Sequence, residues 1–345
     1  LKPGVLAINF GGPTSDAELV PFLRNLLADV LPGPPFVKQL LASRLAPMRA
    51  DRVRARYAEI GWSPTTRDTT AQAAGLAERL SVPVAAGMMF TPPSVERALG
   101  ELLAQGVTHV IAAGLFPHWS FATSGSAGDQ VHDALKSLGR QDVVIHHLRP
   151  FFDDPQYLEA VAGTVRRMQV PGDGPLHLLF SAHGIPLSLV RKGDPYPDHV
   201  RATARGVVRA LGWDGPWHLG WQSRLGPTKW LEPSTPQVLR RLGAEGVRRL
   251  LVVPVSFVGE HIETLHELDI EYAELAHEAG ITTFRRAPAL GLDPTFLDAL
   301  AARARAALAQ LDRTTCVRCL VPVKPDHHAG TCRTCGFQPP AHLRG

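Results

Sequence analysis

Short apolar runs alternate along this chain with longer stretches of helical period, and the rhythm occurs twice. In the first half, Gly4–Phe10, Val82–Gly87, Val107–Leu115 and Val143–Leu148 read as strands. Helical patterns separate them: one from Asp16 through Leu27, then Gln72–Leu80, Val95–Leu103 and Asp129–Leu138. In the second half, helices at Tyr157–Met168, His199–Leu211, Thr235–Leu242 and Asp293–Leu311 alternate with strands at His177–Ser181, His218–Trp221, Leu250–Val253 and Thr282–Arg285. Strands joined by helices must run parallel, because each crossover returns the chain to the same end of the sheet. The expectation is an α/β protein of two domains, 1–150 and 151–311, with parallel four-stranded sheets facing across a cleft and a tail at 312–345. The last helix is a candidate to pack back on the first domain. Ligands of such sheets bind beyond the carboxyl ends of the strands. His183, Gln222, Ser256 to Glu263 and the 116–125 loop all follow strands, so they are expected to converge there.

Composition narrows the classes. An apolar fraction of 45% and a charged fraction of 20% over 345 residues supply ample core for domains of that size. The net charge is +4, and no block of Lys and Arg is interleaved with aromatics, which argues against a nucleic-acid partner. No run approaches the 18 or so apolar residues of a membrane span, and the chain enters a strand almost at once, so a cytoplasmic location is expected. The segment after the first strand, Gly11-Gly12-Pro13, lacks the spacing of a phosphate loop, and Pro13 removes a donor. No G-x-S-x-G nucleophile motif occurs, and all four cysteines lie within Cys316–Cys335.

Chemistry concentrates in Val253–Tyr272. An apolar strand ends at Pro254, after which His261, Leu265, Leu268 and Tyr272 recur at helical spacing. Glu260, Glu263, Glu267 and Glu271 form a second stripe. Like charges at that spacing repel by roughly 0.2–0.5 kcal/mol per pair, so either the row is a solvated face or a cation offsets it. His183, at the end of another apolar strand and beside Gly184, is the second candidate. A His with a Glu suits a divalent transition metal, a proton transfer, or both.

The motifs that carry these residues resemble those of the ferrochelatases, which insert Fe²⁺ into a porphyrin to finish heme. They are Asn9-Phe-Gly-Gly-Pro13, Tyr57 to Pro64, Gly114 to Gly125, Phe180-Ser-Ala-His-Gly184, Gly193-Asp-Pro-Tyr196, Gln222-Ser-Arg-Leu-Gly226 through Trp230-Leu-Glu-Pro233, and Ser256 to Tyr272. They occur in the family's order over about residues 4–311. The resemblance implies two Rossmann-like, chelatase-like domains clamping the porphyrin. It assigns His183 and Glu263 to the Fe²⁺ substrate and to proton abstraction, with His261 supporting Glu263. Glu267 and Glu271 become a delivery path on a helix that is π-like in the family. Protoporphyrin IX and coproporphyrin III both remain open as the substrate, whose propionates would fall to Arg49 and Ser63. Phe10, Phe36, Trp119, Trp230 and Phe257 are candidate walls. Departures are Met89-Phe90 where the family has Arg-Tyr, Phe10 where relatives carry Met or Tyr, and Trp62 in a loop one residue short.

Two features stand outside the catalytic reading. The apolar, Pro-rich segment 30–48 is either core or a lid around a pocket, and is the candidate for weak contact with a membrane surface. Heme-pathway enzymes are candidate partners with no surface assigned to them. In the tail, Cys316, Cys319, Cys332 and Cys335 form two C-x-x-C pairs with twelve residues between them, which suits zinc or a [2Fe–2S] cluster. A non-catalytic metal carrier and a chelatase for another tetrapyrrole or metal are the alternatives to iron insertion.

Overall fold

A computed structural model describes residues 1–31, 33–140, 142–169, 172–224 and 228–309. The chain divides into two units. One comprises Leu1–Ala50, Thr65–Pro150 and the chain from Leu297 onward; the other comprises Asp51–Pro64 and Phe151–Phe296. The tail expected at 312–345, with its four cysteines, lies outside the described residues.

In the first unit the elements are β1 (Pro3–Asn9), α1 (Asp16–Val30), the start of α2 (Pro35–Glu59), α3 (Thr65–Leu80), β2 (Val84–Met88), α4 (Val95–Ala104) and β3 (His109–Gly114). A π-helical turn, Phe121–Gly125, leads into α5 (Ser126–Ser137), followed by β4 (Val144–His147). The sheet is parallel, in the order β2-β1-β3-β4. The central strand β1 has no polar face: Val5, Leu6, Ala7 and Ile8 are all buried. A parallel strand flanked by helices on both sides requires this.

The second unit repeats the plan with α6 (Pro155–Met168), β5 (Leu176–His183), α7 (Leu187–Arg191), α8 (Tyr196–Leu211), β6 (Trp217–Gln222), α9 (Thr235–Ala244) and β7 (Arg249–Pro254). A π-helix, Glu263–Glu271, passes into α10 (Tyr272–Glu278), and β8 (Thr283–Arg286) completes the sheet. Its order, β6-β5-β7-β8, is again parallel throughout. From β5 the chain moves first to one side and then to the other, so the topological switch point lies between the carboxyl ends of β5 and β7. The final helix, α11 (Pro294–Leu308), lies largely in the first unit, where Arg305 donates to the Arg79 carbonyl at 2.8 Å.

The helix after β7 has the widened form that the family resemblance implies, not the α-helical form that the apolar spacing alone suggests. Residues 263–271 form a π-helix rather than an α-helix, and the backbone N–H of Tyr272 bonds to the carbonyl of Glu267, five residues back. The buried residues are Thr264, His266, Leu268 and Tyr272, so Leu268 and Tyr272 of the predicted stripe are buried while His261 and Leu265 are only partly so. Leu268, Tyr272 and Ala276 enter a core with Leu179, Val238, Leu239, Leu242, Leu250 and Val252. That packing seats the widened helix on the sheet.

One consequence for stability follows from β4. Burial, with the neighbouring His132 and His146, pushes the imidazole of His147 down to about 3 from an ordinary 6.5. Its Nε2 is shielded and has no hydrogen-bonding partner among the described residues. Between those two values the unfolded chain binds a proton there and the folded chain does not, so stability falls as the pH drops below 6.5. The cost is about 1.4 kcal/mol per pH unit. His147→Gln is therefore expected to recover about 2 kcal/mol at pH 5 relative to pH 7.5. Urea midpoints at the two pH values test this, and parallel pH dependences in variant and parent would refute it.

Candidate active site

The switch point of the second unit holds the polar residues the sequence singles out. β5 delivers His183 as its last residue, in register with Gln222 at the end of β6. The π-helix after β7 delivers Glu263, and His183 Nδ1 lies 2.8 Å from Glu263 Oε2. Both side chains keep a partial opening to solvent, 29% and 21%. Burial opposes protonation of His183, but the charge of Glu263, its hydrogen bond and the more distant Glu267 outweigh it, so His183 titrates above its ordinary range. Burial would raise Glu263, yet His183, then His261 and Ser223, hold it below the usual carboxylate range. The pair is thus an imidazole made more basic by a carboxylate that stays charged.

The backbone of Glu263 is held as firmly as its side chain. Its N–H donates to His261 Nδ1 at 2.9 Å, and its carbonyl accepts from Gln222 Nε2 at 3.2 Å. Gln222 in turn accepts from Ser181 Oγ at 2.8 Å. Because a backbone N–H can only donate, the Nδ1 of His261 carries its lone pair there, which makes the ring the Nε2–H tautomer. Burial keeps that ring neutral down to about 4. His261 meets the Glu263 main chain, and its ring lies edge-on to Phe257 at 3.6 Å.

The acidic row runs outward from this pair. In a π-helix, residues four apart lie closer to one line than in an α-helix, so Glu263, Glu267 and Glu271 follow one another. Glu267 accepts from the backbone N–H of Ser223 at 2.9 Å, and from the hydroxyls of Ser223 and Tyr272. Ser223 makes these contacts from a left-handed backbone conformation, φ 65°, uncommon for a non-glycine residue. Burial and the charge of Glu263 push the Glu267 carboxyl up despite those donors. Glu271 pairs with Arg56 at 2.7 Å, while His266 reaches it at 3.6 Å and Glu59 at 3.0 Å. Glu260 leaves the row, because the Arg286 guanidinium takes it at 3.0 Å and Asp269 at 2.7 Å. Protein cations thus compensate the like charges at the outer end and on the far side.

Two aromatic residues flank the imidazole edge-on: Phe257 at 6.1 Å and Trp230 at 6.4 Å. Glycine at position 184 serves a close approach within the protein. A Cβ there would stand 3.0 Å from the Gln222 carbonyl and 3.3 Å from the Trp230 ring, so the close approach is internal. Ser63 is buried and follows Gly61 and Trp62, both at positive φ, with Trp62 stacked on Tyr57 at 6.3 Å. The remaining candidates belong to the first unit. Phe10 stacks on Phe90 at 5.5 Å and meets Phe116 at 5.1 Å, which gives the apolar Met89-Phe90 pair a core role. Trp119 is buried against Phe121 at 4.7 Å, and Arg49 is half-buried on α2. Phe36, Leu40 and Met48 are exposed on the same helix. Among the described residues no helix is long and apolar enough to cross a membrane.

The expectation of a resident zinc ion or [2Fe–2S] cluster is corrected. Among the described residues, no group of three or more His, Cys, Asp or Glu side chains is placed to hold a metal ion. Cys316, Cys319, Cys332 and Cys335, on which that expectation rested, lie outside the described residues.

Two parallel four-stranded α/β units of one topology define a class II chelatase-like fold. SirB from Bacillus subtilis, solved with Fe³⁺, has that fold at a TM-score of 0.57 and 15% identity, covering 90% of this chain and 97% of its own. A second structure, the sirohydrochlorin chelatase SirB from Bacillus subtilis subspecies spizizenii in complex with cobalt, aligns at a TM-score of 0.56 and 13% identity over 90% and 97%. The Ferrochelatase family model matches residues 2–308, and the chain belongs to the ferrochelatase family. A ferrochelatase of Synechococcus sp. (strain JA-3-3Ab) is 42% identical over 88% of this chain and 93% of its own. That of Geobacter metallireducens is 42% identical over 87% and 96%. The protein is an enzyme of heme and porphyrin biosynthesis whose reaction is of ferrochelatase type, insertion of a divalent metal into a tetrapyrrole.

Proposed function

We propose that the metal is Fe²⁺, that the acceptor is protoporphyrin IX or coproporphyrin III, and that His183 and Glu263 carry the chemistry. The observation behind this is their 2.8 Å contact at the switch point of the sheet. Insertion forms no covalent enzyme intermediate. Two pyrrole N–H protons must leave as the cation enters, and the cation must shed its water. With Nδ1 of His183 held by Glu263, the opposite ring nitrogen, Nε2, is the atom to take a proton or meet the metal. The retained charge of Glu263 stabilises the imidazolium that results. His261 acts through the backbone of Glu263 and sets where that carboxylate sits.

A substrate cation must also be released, which is why a closed cage of protein ligands would be a disadvantage. Exchangeable carboxylate oxygens at Glu267 and Glu271 suit delivery. Trp230 and Phe257 supply walls against which the macrocycle is distorted, and Phe10, Trp119, Arg49 and Ser63 are the further porphyrin contacts in this reading. The exposed apolar residues of α2 support a weak contact with a membrane surface.

The test is anaerobic turnover with Fe²⁺ and each porphyrin in turn, followed by loss of free-base fluorescence. Many turnovers per enzyme are expected with one of the two. Metal uptake that stops at one equivalent per chain, with neither porphyrin metallated, would make the protein a carrier.

A further inference from the structure

The Gly193-Asp-Pro-Tyr196 stretch has no part in the chemistry proposed for Glu263 and the acidic row, yet its local geometry is specific. Gly193 takes a left-handed turn at φ 93°, and the buried Asp194 accepts the backbone N–H of Tyr196 at 3.0 Å. This starts α8 at Tyr196 and sends its buried ring beneath β5, tilted against Trp221 at 6.1 Å. The phenol oxygen ends 3.0 Å from the carbonyl oxygen of His183 and 2.7 Å from Ser256 Oγ. Ser256 Oγ is also 2.8 Å from the backbone nitrogen of His183.

The protons at these contacts have one arrangement that satisfies all of them. The N–H of His183 can only donate, so it donates to Ser256 Oγ. The carbonyl of His183 can only accept, so the Tyr196 hydroxyl donates to it. The Ser256 hydroxyl is then left to donate to the Tyr196 oxygen. The result is a closed ring of three hydrogen bonds that grips residue 183 by both of its main-chain polar groups. Its third corner, Ser256, follows β7, and its second, Tyr196, opens α8. Three separate elements therefore meet on one residue, whose side chain stays free to face Glu263.

We propose that Tyr196, acting with Ser256, is a positioning residue for His183. The ring of hydrogen bonds sets the height and rotation of the His183 backbone, and with it the reach of the imidazole toward Glu263 and substrate. This rests on the reading of His183 as a reacting group. Misplacement on the ångström scale costs turnover far more than binding, because a poorly aligned base still leaves the macrocycle its walls.

The test uses the full chain with Tyr196→Phe, Ser256→Ala, the double variant and His183→Ala, measuring kcat and KM for porphyrin and Fe²⁺ per folded enzyme. Each single variant is expected to lose about 10-fold in kcat with both KM values within about twofold. The double variant should lose little more than either single one, because both break the same ring. Should both single variants keep kcat within twofold while His183→Ala is inactive, the positioning role is overturned and the reading of His183 stands. Near-parental turnover by His183→Ala overturns that reading itself. A change confined to KM also overturns the proposal, since it would mark Tyr196 and Ser256 as binding groups.

Discussion

Glu263→Gln is expected to lower turnover by about 10²–10⁴-fold while the fold persists. The amide is nearly isosteric and its oxygen can still accept from His183 Nδ1 at the 2.8 Å contact. What disappears is the charge. Without it, the burial that opposes protonation of His183 is no longer outweighed, and the imidazole titrates lower. A base weakened in this way holds a pyrrole proton poorly, and the entering cation loses an anionic neighbour. Partial exposure of both side chains limits the structural cost of the exchange. Steady-state kcat with Fe²⁺, alongside far-ultraviolet circular dichroism, checks the prediction. A well-folded variant within tenfold of the parent would remove Glu263 from the chemistry.

The second large effect concerns the seat of the π-helix. Gly243 lies in α9, and a Cβ built there would stand 2.1 Å from the Ala279 carbonyl oxygen and 2.7 Å from the Ala279 Cβ. Backbone cannot yield as a flexible side-chain tip does, so α9 and the end of α10 must separate. α10 continues the π-helix, and its Tyr272 and Ala276 share a core with Val238, Leu239 and Leu242 of α9. Gly243→Ala should therefore cost at least about 3 kcal/mol, read as a lowered urea midpoint. Gly100→Ala in α4 is the control. Its Cβ would meet only Leu138 at 3.9 Å, and helix propensity favours alanine by about 1 kcal/mol. Equal midpoints for the two variants would show that the α9–α10 contact does not limit the fold.

Much of this was legible beforehand because apolar periodicity is a local signal. β5 ending at His183 and β7 ending at Pro254 follow from runs that are buried on both faces. The π-helix was not legible by spacing. His261, Leu265, Leu268 and Tyr272 fit an α-helical stripe equally well, and the choice fell to core packing around Leu268 and Tyr272. The partners that tune the acidic row come from far along the chain: Arg56 for Glu271, Ser223 for Glu267, and Arg286 for Glu260. An arginine in a helix or a serine after a strand looks the same whether it faces water or a carboxylate. Of these three only Ser223 falls within a motif, Gln222-Ser-Arg-Leu-Gly226, and the motif does not reveal which carboxylate it meets.

The order of residues along the chain thus determined the alternating strands and helices, the parallel sheets they require, and the family to which the chemistry belongs. Those properties depend on neighbours a few positions apart and on motifs readable in line. Which nitrogen of His261 is occupied, why His183 is more basic than a free imidazole, and which cations quiet the glutamates were decided only by the tertiary structure. Electrostatic and hydrogen-bond energies depend on distance in space and on exclusion of water, and chain separation encodes neither.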